Sequence, residues 1–174
     1  MEQRASVVFF RAVNVGGRQT FQPSKLARDL AHLDVVSIGS AGTFVIRNSI
    51  PEAKLREEIL RRLQFRPDMI ICPAREVLAL TGADAFRAVP PGDGLQRFVT
   101  VLEQAPRSLS PLPLDQPAGD KWEVRLAAIV GRFVLSFRRK GAIYSNAVVE
   151  NRLGISATTR NWNTFAAVWK ALSP

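Results

Sequence analysis

The chain has 174 residues, 47% of them hydrophobic, and a formal net charge of +9 from 24 basic and 15 acidic side chains. That length and composition suit one domain or two small subdomains with a real core, and apolar runs such as Val7-Val8-Phe9-Phe10 are far too short to cross a bilayer. One cysteine and one histidine exclude an internal disulfide and disfavour structural zinc and Ser/His or Cys/His catalysis.

The opening residues Met1-Glu2-Gln3-Arg4 run straight into a strand pattern without the features of a secretory signal, so a cytoplasmic protein with no membrane partner is expected. Ser6-Val7-Val8-Phe9-Phe10 is a β-branched and aromatic run that predicts a strand covered on both faces. Asn14-Val15-Gly16-Gly17 breaks it. Pro23 to Leu33 places Leu26, Leu30 and Leu33 on one helical face, with proline in the first turn. Val35–Ile38 and Thr43–Arg47 read as a hairpin around Gly39-Ser40-Ala41-Gly42. Ser49-Ile50-Pro51-Glu52 has the spacing of a capping box, followed by Leu55, Ile59 and Leu63 on one face of a helix to about Gln64. Asp68–Cys72 is the next strand, with Cys72 read as a small buried hydrophobe. The order β-α-β-β-α-β over residues 5–73 is the split βαβ arrangement of ferredoxin-like folds. His32, near a helix end, suits the carbonyl end of the dipole.

Residues 74–174 predict a second, irregular copy. Pro73–Thr81 is a short helix, Arg97–Leu102 a strand, and 104–119, with four prolines, mostly irregular. Trp122–Leu126 and Phe133–Phe137 alternate as a hairpin around Gly131-Arg132. Ser145 is placed to cap a helix ending at Gly154. A last helix from about Asn161 to Leu172 presents Trp162, Phe165, Ala166, Trp169 and Leu172 to the core. The expected fold class is therefore α+β, with two ferredoxin-like subdomains in tandem, residues 1–73 and 74–174.

Arginine supplies 19 of the 24 basic side chains. A basic surface attracts nucleic acid and phosphorylated metabolites, and arginine favours planar, bidentate contact. The charge is spread through the chain, and the runs Arg61-Arg62 and Arg138-Arg139-Lys140 read as solvated helix face and loop. Two polar strings stand out against this. In the first, Arg11, Asn14, Gly16, Gly17 and Arg18 surround a glycine pair between strand and helix; it lacks the Walker A and G-x-G-x-x-G patterns, so it is either a backbone nest for an oxyanion or a tight turn. In the second, Thr158 or Thr159 is expected to cap the last helix, with Arg160, Asn161, Asn163 and Thr164 in its first turn. A cation at the positive end of a helix is better explained by a nearby anion or carboxylate, so a ligand site and an internal ion pair both fit Arg160. Scattered carboxylates give no acid–base pair or metal set, and Thr43–Arg47 lacks the paired aromatics of an RNA-recognition motif.

Arg-x-x-Asn-Val-Gly-Gly near the start, the Ser40/Gly42 turn into a hairpin, and Ala157-Thr158-Thr159-Arg160-Asn161-Trp162-Asn163-Thr164 near the end resemble the bacterial domain-of-unknown-function family 1697. The resemblance covers roughly residues 5–172. It implies two ferredoxin-like subdomains, and signature residues Arg11, Asn14, Gly16, Gly17, Ser40, Gly42, Arg160, Asn161, Trp162, Asn163 and Thr164. It supplies no reaction and no cofactor. Two departures are present: Ser40-Ala41-Gly42-Thr43 lacks the family's usual asparagine, and Ala12 stands where glycine is usual. The expectation is a non-enzymatic binding protein for an anionic ligand, nucleic acid or a phosphorylated small molecule, with Arg11, Asn14, Gly16, Gly17, Arg18, Ser40, Gly42, Thr159, Arg160, Asn161 and Asn163 as ligand-binding residues. An enzyme acting on a small phosphate or carboxylate, and a purely structural role for the two strings, remain open, as does the oligomeric state.

Overall fold

The computed structural model describes residues 5–14, 17, 20–82, 86, 94–108 and 111–173. It is an α+β structure in two compact units, one formed by Met1–Leu78 with Ala166–Pro174 and the other by Ala79–Phe165.

The first unit contains β1 (Ser6–Phe10), α1 (Pro23–Asp29), β2 (Val35–Ile38), β3 (Thr43–Ile46), α2 (Glu52–Arg61), β4 (Met69–Pro73) and α3 (Ala74–Leu78). The sheet order is β2-β3-β1-β4, each neighbouring pair antiparallel. Each of α1 and α2 therefore joins two strands separated by a third. Val8 and Phe10 of β1 face a core with Leu26 and Leu30 of the α1 region, Phe44 and Ile46 of β3, and Leu55 and Ile59 of α2. Val7 and Phe9, on the opposite face of β1, are also fully buried, as the unbroken apolar run predicts. Cys72 is buried on β4. The capping box at Ser49 does not form. Pro51 is the residue before the first helical one and no side chain caps the helix, because proline holds the preceding residue extended and delays the first turn. Arg61 and Arg62 lie at the end of α2 and pair with Glu57 and Glu58 one turn back, a solvated helix face as expected. Residues 166–174 add two anchors to this unit. Trp169 Nε1 donates to the Val77 carbonyl at 3.0 Å, and Arg47 Nε donates to the Ala171 carbonyl at 2.9 Å.

The second unit contains β5 (Leu95–Leu102), β6 (Leu114–Gln116), β7 (Val124–Val130), β8 (Phe133–Arg139), α4 (Asn146–Leu153), β9 (Ala157–Asn161) and the start of α5 (Trp162–Leu172). Its antiparallel sheet runs β6-β7-β8-β5-β9. With β6 set aside, the order β7-β8-β5-β9 repeats β2-β3-β1-β4 element for element, and α4 takes the place of α2. Where the first unit has α1, the second has the proline-rich stretch and β6. Ser145 Oγ caps α4 by accepting from the Ala147 N–H at 3.1 Å, and the Gly154 N–H closes it on the Glu150 carbonyl. Leu102, Val124, Leu126, Val134, Val149 and Ala157 form the core between the sheet and α4.

Three expectations for the second half change. β6 is a strand inside the proline-rich stretch. It is held by a two-pronged ion pair from Arg125 to Asp115, directly opposite in register, with Arg125 stacked on Trp122. Residues 157–161 are a strand rather than a helical first turn, since Thr158-Thr159 favour extended backbone and β5 offers an edge to pair with. Along α5 the buried stripe runs through Phe165, Val168 and Leu172, with Ala166 exposed.

Candidate functional site

Backbone geometry in the first unit explains its polar string. Ala12 and Asn14, just after β1, both sit at positive φ, 52° and 54°. Asn14 then ties two loops together. Its Nδ2 donates to the Ser40 carbonyl at 2.9 Å, and its Oδ1 accepts from the Phe21 N–H at 2.9 Å. Asparagine tolerates the left-handed region, and its amide supplies both bonds. Arg11 donates its N–H to the Asp68 carbonyl, and its guanidinium lies 3.9 Å from the Asp68 carboxylate. Gly42 packs tightly on Phe10 and Val13, and its carbonyl accepts the Phe10 N–H at 2.7 Å. Gly17 is exposed. Gly16 and Arg18 lie outside the described residues. Asn14, Ser40 and Gly42 thus meet at the β2–β3 turn through internal contacts, whereas Arg11 turns to Asp68 just before β4. Alanine at φ 52° carries strain that glycine does not. Ala12→Gly is expected to raise the stability of the unit by about 1 kcal/mol in denaturant titration, and an unchanged midpoint would show that the loop relaxes instead.

The second string divides between the two faces of β9, because side chains alternate along a strand. Arg160 is 7% exposed, and its Nη1 donates to Thr158 Oγ1 at 2.8 Å and to the Thr159 carbonyl at 2.9 Å. Burial lowers its pKa to about 10, so the side chain remains a cation at neutral pH. Arg160 is therefore a strand residue in the interior, and does not stand at the helix end as its position in sequence suggests. Thr159 faces the other way, into a hydroxyl network. Thr100 Oγ1 lies 2.8 Å from Thr159 Oγ1 and 2.7 Å from the Tyr144 hydroxyl; Ser136 Oγ donates to that hydroxyl at 3.2 Å; Thr159 Oγ1 donates to Asn146 Oδ1 at 2.7 Å. Asn161, the last residue of β9, caps α5: its Oδ1 accepts from the Thr164 N–H at 2.9 Å and from the Thr164 hydroxyl at 3.1 Å. Asn161 and Asn163 are exposed.

Beside that cap lies an open hollow of about 510 Å³, lined by Gln96, Arg97, Phe98, Arg138, Asn161 and Asn163 among others, with no carboxylate among its described lining residues. Two of its lining side chains, Phe98 and Arg138, belong to a stack of three. The Tyr144 ring lies nearly parallel to Phe98, with centroids 5.4 Å apart and an interplanar angle of 14°. The Arg138 guanidinium sits over Phe98, 4.8 Å from the ring centroid. Gln96, directly opposite Arg138 in register, accepts from both Arg138 Nε, at 3.1 Å, and Nη2 through its Oε1. Sequence reasoning reached Asn161 and Asn163 but missed Gln96, Phe98, Arg138 and Tyr144. The Arg138-Arg139 run is not loop. Both residues lie on β8, and each guanidinium covers an aromatic ring, Arg138 on Phe98 and Arg139 on Trp122. A basic pair closing an alternating strand was the available signal.

Tyr144 is the sole tyrosine of the chain. Burial pushes its hydroxyl above the usual value of 10.0, only partly offset by hydrogen bonds from Ser136, Thr100 and Thr159. The folded protein therefore keeps a proton that the unfolded chain releases, and the group's contribution to stability is lost as pH rises above 10. Phenolate absorbance is expected to titrate above 10 in the native protein and near 10 in denaturant. A native midpoint at the ordinary value would mean that water reaches the network.

Among the described residues no helix is long and apolar enough to cross a membrane. No protein-family model and no curated protein matches the chain. Among solved structures, the chain is similar in fold to a conserved bacterial protein, SP0830 from Streptococcus pneumoniae, at 14% sequence identity and a TM-score of 0.56, over 97% of this chain and 98% of that one.

Proposed function

We propose that this is a non-enzymatic binding protein for an anionic ligand, a nucleic acid or a phosphorylated small molecule, held on the second unit in the hollow beside Arg138. The carrying observation is an open volume lined by Arg138 and by the two exposed amides at the start of α5, with no carboxylate among its described lining residues. Guanidinium groups and a capped helix start suit phosphate oxygens. The volume lies within the range of small-ligand sites. The net charge of +9 adds long-range attraction for anions.

The matching strand orders of the two sheets support a tandem of ferredoxin-like units, and the positive φ at Ala12 and Asn14 supports the likeness to family 1697, whose usual residue at position 12 is glycine. A structural role is favoured for part of the two strings: both ends of the Asn14 amide are used by neighbouring backbone, and Arg160 is buried.

Titration of the protein with single- and double-stranded oligonucleotides and with inorganic tripolyphosphate, at about 50 and about 200 mM salt, tests the proposal. Binding is expected to weaken steeply with salt and to weaken further in Arg138→Gln. Absence of binding at low salt, or binding indifferent to salt, would remove it.

A further inference from the structure

We infer that the occupant of this hollow is a single-stranded nucleic acid, one base of which lies on the guanidinium of Arg138; the inference rests on the anion-binding proposal above and specifies its ligand. Three features of the site go beyond what a bare phosphate needs. First, Tyr144, Phe98 and Arg138 form a continuous stack whose last layer borders the hollow. Bases stack on aromatic rings and on arginine planes alike, and such surfaces select unstacked bases over paired ones. Second, the stack is held before any ligand arrives. Gln96 accepts from two nitrogens of one edge of the guanidinium, fixing its plane, and the hydroxyls of Thr100 and Ser136 fix Tyr144 from behind. Ordering these side chains in advance lowers the entropy cost of binding. Third, hydrogen-bonding groups remain around the plane. Arg138 Nη1 and Asn161 Nδ2 have no hydrogen-bond partner among the described residues, and Asn163 is exposed on the same rim. Amides and guanidinium edges beside a stacking plane match the edges of a base, and the charge of Arg138 itself serves the adjoining phosphate. An inorganic phosphate would use only the charge. A duplex, whose bases are already stacked and paired, could not reach the plane.

The test compares a thymidine decamer, an abasic decamer with the same phosphates, and a duplex of equal length, by fluorescence anisotropy at about 50 mM salt. The wild-type protein and the Arg138→Lys and Phe98→Leu variants are measured, with melting curves to verify folding. The wild type is expected to prefer the thymidine decamer to the abasic one by about tenfold, as one stacked base provides, and to prefer it to the duplex. Arg138→Lys keeps the charge and loses the plane, so the abasic affinity should hold within about twofold while the preference disappears. Phe98→Leu should reduce the preference through loss of the layer beneath. Equal binding of the two decamers would overturn the inference while leaving the anion-binding proposal standing, and binding of none of the three would sink both. A preference undiminished in Arg138→Lys, or a tighter duplex complex, would also overturn it.

Discussion

Gly42→Ala should cost the first unit about 3 kcal/mol, seen as an earlier unfolding midpoint in denaturant. The residue sits at φ +71°, where an L side chain carries about 1–2 kcal/mol of strain. A Cβ there would also stand 2.7 Å from Phe10 Cβ and 2.9 Å from Val13 Cγ2, closer than real Cβ atoms approach. Phe10 is a packed strand residue whose N–H bonds the Gly42 carbonyl, so neither backbone can withdraw without losing that bond. Overpacking of this kind costs about 1–3 kcal/mol. Gly39, in the same turn, provides the control. Its φ is +62°, but a Cβ at that position would meet nothing within 4 Å, so Gly39→Ala should cost only the backbone part, about 1 kcal/mol. Equal losses in the two variants would mean that the Phe10 contact yields, and that the tight packing of Gly42 is not what holds the turn.

Arg160→Ala is expected to destabilise the second unit by about 3 kcal/mol and to leave ligand affinity unchanged within about twofold. The side chain is buried, and truncation removes its packing together with the charge-assisted bonds to Thr158 Oγ1 and the Thr159 carbonyl. Arg160→Lys should recover little, because an ammonium cannot reproduce the planar fork. The side chain lies on the face of β9 opposite Asn161, so binding in the hollow should not register its loss. Unchanged stability with lost binding would reverse the assignment and return Arg160 to the ligand site.

The first unit was almost fully legible from its residues. β1, α1 and the β2–β3 hairpin carry strong periodicities, and the turn between β2 and β3 is short, so local pattern and final pairing agree. The differences there are a helix start that Pro51 displaced by proline sterics and a first helix that ends at Asp29, with a 3-10 turn over Ala31–Leu33 where the sequence predicts one continuous helix. The second unit was harder because two of its strands lack an apolar signature. β9 reads Ala-Thr-Thr-Arg-Asn, and only the available edge of β5 makes a strand of it. β6 is three residues long and depends on Arg125, ten positions further on, for its anchoring ion pair. The misplacement of Arg160 followed directly, since reading β9 as a helical turn put its guanidinium at a helix terminus.

The pattern of apolar residues, glycines and caps carries the α+β class, most of the elements and the buried character of Cys72, because these depend on neighbours a few positions apart. The hollow on the second unit has another origin. Gln96 and Phe98 meet Arg138 across about forty residues through the antiparallel register of β5 and β8, and Tyr144 enters from the connection to α4. Each of these side chains is ordinary in its local setting. Their stacking arises from strand pairing between distant segments, which no short-range pattern encodes.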